Sequence, residues 1–229
     1  KRLYFQVNQA LDAACIRPVQ EGYFPGAAQT GNTADRMPEQ ITGNISGGKQ
    51  GLSGQGVLVG IVDSGVDWQH PDFCNEDGTS RILRLWDQSL LAKPGENPPE
   101  GYAAGVEYTK TDIDRALRLS RAEGKQIVRE QDFSGHGTSV LGIAAGNGRA
   151  SGGVNRGVAY TSDIIAVKMG MPGENSFPRT AELMQGVDYL VRQAAELGRP
   201  MAVNISFGNN YGSHRGDSLL ETYLSNVSD

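Results

Sequence analysis

Three short apolar runs punctuate the chain: Val57 to Val62 (VLVGIV), Ile164 to Val167 within DIIAVKM, and Ala202 to Phe207 (AVNISF). Each is continuous rather than alternating and rich in β-branched residues, the pattern of a strand buried on both faces of a parallel sheet. Between the last two lies TAELMQGVDYLVRQAAELG, in which Leu183, Val187, Leu190, Val191 and Ala194 recur at helical spacing. Thr180 is its expected N-cap and Gly198 its stop. A shorter helix is expected from Asp217, as cap, through Leu219, Leu220 and Tyr223 to Val227. Strands alternating with helices imply a parallel sheet with helices on both faces, so the fold class is α/β.

Two stretches depart from this alternation. Residues 20–56 carry many Gly, Asn, Thr and Pro, and the whole of 1–53 is expected to be mostly irregular, apart from an edge strand and a short helix in KRLYFQVNQALDAACI. Residues 75–131 contain NEDG, a candidate strand ILRLW, the turn KPGENPPEG and a helix beginning near Thr111. They are expected to form an insertion decorating the core.

Composition narrows the function classes. With 229 residues, 38% of them hydrophobic, the chain can bury a substantial core as one domain or part of one. The net charge is −5 and the Lys and Arg residues are scattered, so no footprint for nucleic acid is present. Cys15 and Cys74 sit in no metal or redox spacing and read as free thiols, with a single disulfide as the alternative. No run approaches the roughly 20 apolar residues of a membrane helix, and the N-terminus lacks a signal-peptide apolar region. No membrane partner is expected.

The candidate chemistry lies in two places. Asp63 directly follows the first apolar run, at the carboxyl end of a buried strand, where open α/β sheets place their sites. His136 stands between glycines in DFSGHGTSVLGIAAGNG, ahead of a thin helix expected over Ser139 to Ala145. At a helix N-terminus the dipole disfavours imidazolium while a nearby carboxylate favours it, the balance a general base needs. Asp63 and His136 are thus a candidate orienting acid and base. A dinucleotide site is not supported, because GIVDSGVD lacks GxGxxG spacing and no GxxxxGK[ST] occurs.

Taken together, GVLVGIVDSGVDWQHPDF, SGHGTSVLGIAAGNG, GVAYTSDIIAVKM and AVNISFG resemble the subtilisin-like serine proteases, the subtilases of peptidase family S8. Within that family, NEDGTSRILRLWDQ and SFGNNYGSHRGDS look most like bacterial subtilases of clostridia, including the Csp group. The resemblance implies a subtilisin-like parallel sheet, incomplete in this chain, and a serine endopeptidase acting on peptides or proteins. It implies Asp63 and His136 as two members of an Asp-His-Ser triad. It also implies Ser206, Phe207 and Gly208 as a cleft edge on which substrate pairs as an added strand. An extracellular or spore-associated bacterial setting follows from the same likeness.

One departure is severe. The family's nucleophilic Ser, in a GTSxA-type motif, and the Asn of its oxyanion hole match nothing here; Ser139 and Asn147 belong to the His motif. The chain therefore reads as the N-terminal part of a catalytic domain, inactive alone, whose partner is the C-terminal remainder carrying the Ser. Cut after the third run, its sheet would leave an unpaired edge and an uncovered apolar face. The alternative function is a non-catalytic subtilase-like module that binds peptides or proteins. No cofactor is required; Asp72, in HPDF, stands where family members place a calcium ligand, but one carboxylate is far short of the six to eight oxygens calcium takes. His70 and His214 read as structural or solvent-exposed, and Phe207, Tyr211 and Met169 as candidate pocket residues.

Overall fold

The structure, a computed structural model, describes residues 4–7, 52–170, 180–206 and 215–228. Its strands are β1 (Tyr4–Val7), β2 (Leu58–Asp63), β3 (Ile82–Asp87), β4 (Val106–Thr109), β5 (Asp163–Lys168) and β6 (Met201–Ile205). Its helices are α1 (Lys110–Leu117), α2 (Arg121–Ile127), α3 (His136–Ala145), α4 (Thr180–Glu196) and α5 (Leu219–Ser228).

The six strands form one sheet in the order β1-β6-β2-β5-β3-β4, parallel except where β4 runs antiparallel to β3 at one edge. The expected runs at 57–62 and 164–167 become the two central strands, and all six residues of β2 are buried. Alternate side chains of β2 feed separate cores. Val59 and Ile61 join Ile82, Leu85, Ile113, Leu141 and Ile164 under α1 and α3, whereas Leu58 and Val62 join Val167, Leu183, Val187, Leu190 and Val203 under α4. Full burial of each such side chain contributes roughly 1.5–3 kcal/mol, so each face is a substantial anchor.

Several expectations are corrected. Residues 82–87 do not decorate the sheet but belong to it: β3 pairs with β5, and Leu85 and Trp86 are buried. The apolar run ILRLW thus feeds both cores. β6 is not left as a bare edge, because β1 pairs with it in parallel from Tyr4↔Ala202 to Val7↔Ile205. Nor is β6 buried on both faces. Met201, Val203 and Ile205 point into the α4 side, but Ala202 is exposed and Asn204 half-buried among the described residues. α4 takes Thr180 as its first residue rather than its cap. α5 is capped by Ser218 rather than Asp217: Ser218 Oγ accepts from Glu221 N at 3.3 Å and Glu221 Oε2 accepts from Ser218 N at 2.9 Å, the reciprocal capping box.

The parallel strands carry their carboxyl ends to one rim. There β2 ends in Asp63, beside Lys168 of β5, while Ile205 of β6 pairs with Val62.

Candidate active site

Asp63 and His136, 73 residues apart in the chain, meet at this rim. His136 Nδ1 lies 2.7 Å from Asp63 Oδ1. The Asp63 side chain is 2% exposed and that of His136 55%. An ionised carboxylate only accepts, so Nδ1 carries the proton in this contact and Nε2 is the nitrogen left for another partner. Asp63 Oδ1 also accepts from Ser64 N at 2.6 Å, which fixes the carboxylate against its own turn.

The approach of α3 to β2 depends on a missing side chain. A Cβ at Gly137 would stand 2.2 Å from Gly65 O and 3.1 Å from Asp63 Cβ, so any larger residue would push α3 off the strand end. His136 is the first residue of α3, as the motif requires, and the helix starts three residues earlier than the expected Ser139. Gly135 takes the cap position with φ 71° and supplies no side-chain acceptor. Neighbouring side chains do so instead. Ser134 Oγ accepts from His136 N at 3.1 Å, Ser64 Oγ from Gly137 N at 3.0 Å, and Asp132 Oδ2 from Thr138 N at 2.9 Å. Burial opposes the Asp132 charge, yet hydrogen bonds from Thr138, Ser64 and Gly135 outweigh it and hold the carboxyl below its ordinary range.

Beneath the rim lies a buried charge cluster that sequence reasoning did not find. Lys168 Nζ is 3.9 Å from Asp87 Oδ2 and 4.0 Å from Glu130 Oε1, and it donates to Gln131 O. Glu130 Oε1 accepts from Val66 N at 3.1 Å, while its Oε2 has no hydrogen-bond partner among the described residues. Burial pushes the Glu130 carboxyl up to about 8, against the pull of Lys168. Nothing in the sequence flags Glu130, because its partners come from the loop after β2 and from β5, distant in the chain. Asp132 did carry a signal: it sits four residues before His136, in the DFSGHGT stretch, where short polar residues cap helices.

The remaining candidates are distributed as follows. Ser206 follows β6 at the same rim, and its Oγ accepts from Asn204 Nδ2 at 2.9 Å. Phe207, Gly208, Tyr211, His214 and Cys15 lie outside the described residues. Met169 packs half-buried on the α4 core, and Cys74 is a buried free thiol. Ser139 Oγ donates to Gly135 O at 2.7 Å, and Asn147 Nδ2 to Cys74 O at 2.8 Å, which ties both to the neighbourhood of α3. His70 Nδ1 accepts from Asp72 N at 3.2 Å, a structural cap. Asp72 Oδ1 accepts from Ala150 N at 2.7 Å. Among the described residues no cluster of three or more His, Cys, Asp and Glu surrounds it, and no helix is long and apolar enough to cross a membrane.

A two-faced α/β sheet with a carboxylate and an imidazole joined at its carboxyl rim defines the class of protein at hand. The chain belongs to the Subtilase family, peptidase S8, whose model matches residues 54–227. It is similar to the subtilisin-like protease PopC of Myxococcus xanthus, with 28% identity over 162 residues covering 69% of this chain and 26% of that protein. The major intracellular serine protease of Bacillus subtilis is 25% identical over 148 residues, covering 65% of this chain and 34% of the relative. Among solved structures, the Clostridium perfringens CspB protease aligns with a TM-score of 0.67 and 38% identity over 81% of this chain and 36% of that one. The chain thus spans between about a quarter and about a third of the length of these relatives.

Proposed function

We propose that this chain supplies the Asp and His of an Asp-His-Ser triad in a serine endopeptidase, with the nucleophilic Ser and the oxyanion Asn on polypeptide C-terminal to these 229 residues. The 2.7 Å contact between His136 Nδ1 and Asp63 Oδ1 carries the reading. Asp63 holds one tautomer of the imidazole and stabilises the imidazolium that forms during reaction. His136 Nε2 takes the proton of the serine hydroxyl as its oxygen attacks the scissile carbonyl, then gives that proton to the leaving amine. Ser206, Phe207 and Gly208 offer their backbone to an extended peptide, with side-chain pockets setting preference. The reaction so drawn needs no cofactor; an extracellular or spore-associated setting belongs to this reading and draws its support from the likeness to a clostridial protease.

The test is labelling by a fluorophosphonate probe, together with peptide hydrolysis, in protein that includes the C-terminal remainder. Labelling is expected, and His136→Ala should lower kcat by about 10⁴-fold or more. Folded protein that is never labelled would overturn the proposal and leave a peptide-binding module without catalysis. The 229-residue chain alone should hydrolyse nothing; hydrolysis that His136→Ala abolishes in that chain would show that the nucleophile lies within it.

A further inference from the structure

The first turn of a helix presents backbone N–H groups that have no partner within the helix, and an unmatched buried donor costs about 1–3 kcal/mol. In α3 these donors belong to the residues that carry the proposed base, and the glycine at the cap position cannot satisfy them. A single carboxylate organises the substitutes. Asp132 Oδ1 accepts from Gly135 N at 3.0 Å and from Ser64 Oγ at 2.8 Å, and Oδ2 accepts from Thr138 N at 2.9 Å and Thr138 Oγ1 at 2.7 Å. The bridging hydroxyls reach further. Ser64 Oγ accepts from Gly137 N at 3.0 Å, Thr138 Oγ1 accepts from Asp67 N at 2.8 Å, and Ser134 Oγ accepts from His136 N within 2.8 Å of Ser64 Oγ.

Two of these partners, Ser64 and Asp67, lie in the loop that leaves Asp63; the others lie at the start of α3. We propose that Asp132 is a positioning residue for the Asp63–His136 pair, binding the loop after β2 to the first turn of α3 so that the imidazole stays on the carboxylate. This rests on the proposed role of that pair. The physical case is that Asp132 is the one charged member of the network. A negative charge at a helix N-terminus is favoured by the dipole, and hydrogen bonds to an ionised acceptor are about twice as strong as neutral ones. Asparagine in its place would keep the shape but present an N–H₂ to donors, so at least one arm must open.

The test follows the Nδ1 proton of His136 by NMR in the intact protein with ¹⁵N-labelled histidine, the signal being assigned by its loss in His136→Gln. Asp132→Asn is expected to raise the exchange rate of that proton with water about tenfold or more, or to abolish the signal. Thr109→Ala removes a remote cap on α1 and serves as the control for a merely structural loss, with no change expected. An unchanged rate in Asp132→Asn, with the signal lost in Asp63→Asn, would overturn the positioning role while leaving the pair intact. A signal insensitive to Asp63→Asn would overturn the pairing and the functional reading with it. Should Asp132→Asn not fold, Ser64→Ala removes one arm alone; a smaller increase in the same direction supports the role, and no change overturns it.

Discussion

The helices that cover the two faces of the sheet are held by different physics. α4 presents Leu183, Val187, Leu190 and Ala194 as a buried stripe, and its hold on the sheet is the apolar area it removes from water. α3 has little such area: of its larger apolar residues only Leu141 is fully buried, and Ile143 is 69% exposed. Directional bonds fix α3 instead, at both ends. Asp132 gathers the donors of its first turn, and the buried guanidinium of Arg81 donates to Ala145 O at 2.6 Å in its last, as well as to Asp72 O and Ser162 O. Both charges have the sign that the helix dipole favours. Apolar contact is non-directional and tolerates sliding, whereas a bonded network fixes rotation and register. The helix bearing the proposed base is the one located by bonds.

The contrast can be broken or sharpened by substitution. The largest effect is expected from Arg81→Leu, which leaves several buried carbonyls without a donor and should cost roughly 3–6 kcal/mol, read as a fall in the urea midpoint. A loss below about 1 kcal/mol would mean that apolar contact holds α3 after all. Next, Leu190→Ala should cost about 2–5 kcal/mol while leaving the His136 Nδ1 proton as it is in the native protein. If that proton exchanges faster, the two faces are mechanically coupled and the contrast fails.

A pH series comes third. The Glu130 carboxyl is raised to about 8 from its ordinary 4.5, so the folded state holds a proton that the unfolded state releases. Its contribution is full below about 4.5 and is lost as pH rises toward 8. Between pH 5 and pH 7 the native protein should therefore lose roughly 2 kcal/mol relative to Glu130→Gln, measured as the difference between their unfolding free energies. Lys168, Asp87 and Asp132 are the charged groups acting on this carboxyl. Parallel curves for the two proteins would remove Glu130 from the account. The smallest effect is expected from Ser120→Ala, which removes the reciprocal cap of α2 and touches neither Asp132 nor Arg81; it should cost about 1 kcal/mol in thermal unfolding.

The central strands were legible because burial on both faces leaves only apolar residues, and α4 because its stripe repeats at helical spacing. β3 was harder. Its apolar run ILRLW was visible, but its place between β5 and β4 depends on pairing with residues about 80 positions away. β6 misled in the opposite sense: AVNISF reads as buried throughout, yet only alternate residues are, because no helix among the described residues covers its second face. At the candidate site, Asp63 and His136 announced themselves through strand-end and glycine-flanked motifs. Glu130, Lys168 and Arg81 gave no sign, since a buried charge is recognised by its partners and these lie on other elements.

By itself, the sequence determined the alternation of strands and helices, the two members of the candidate pair, and the glycine that lets a helix press against a strand end, because each is written in local pattern. Tertiary structure alone decided the strand order, the pairing of β1 with β6, and the network through which Asp132 and Ser64 join two distant segments. Those outcomes turn on which groups become neighbours after burial. A hydrogen bond spanning 73 residues leaves no periodicity along the chain from which it could be read.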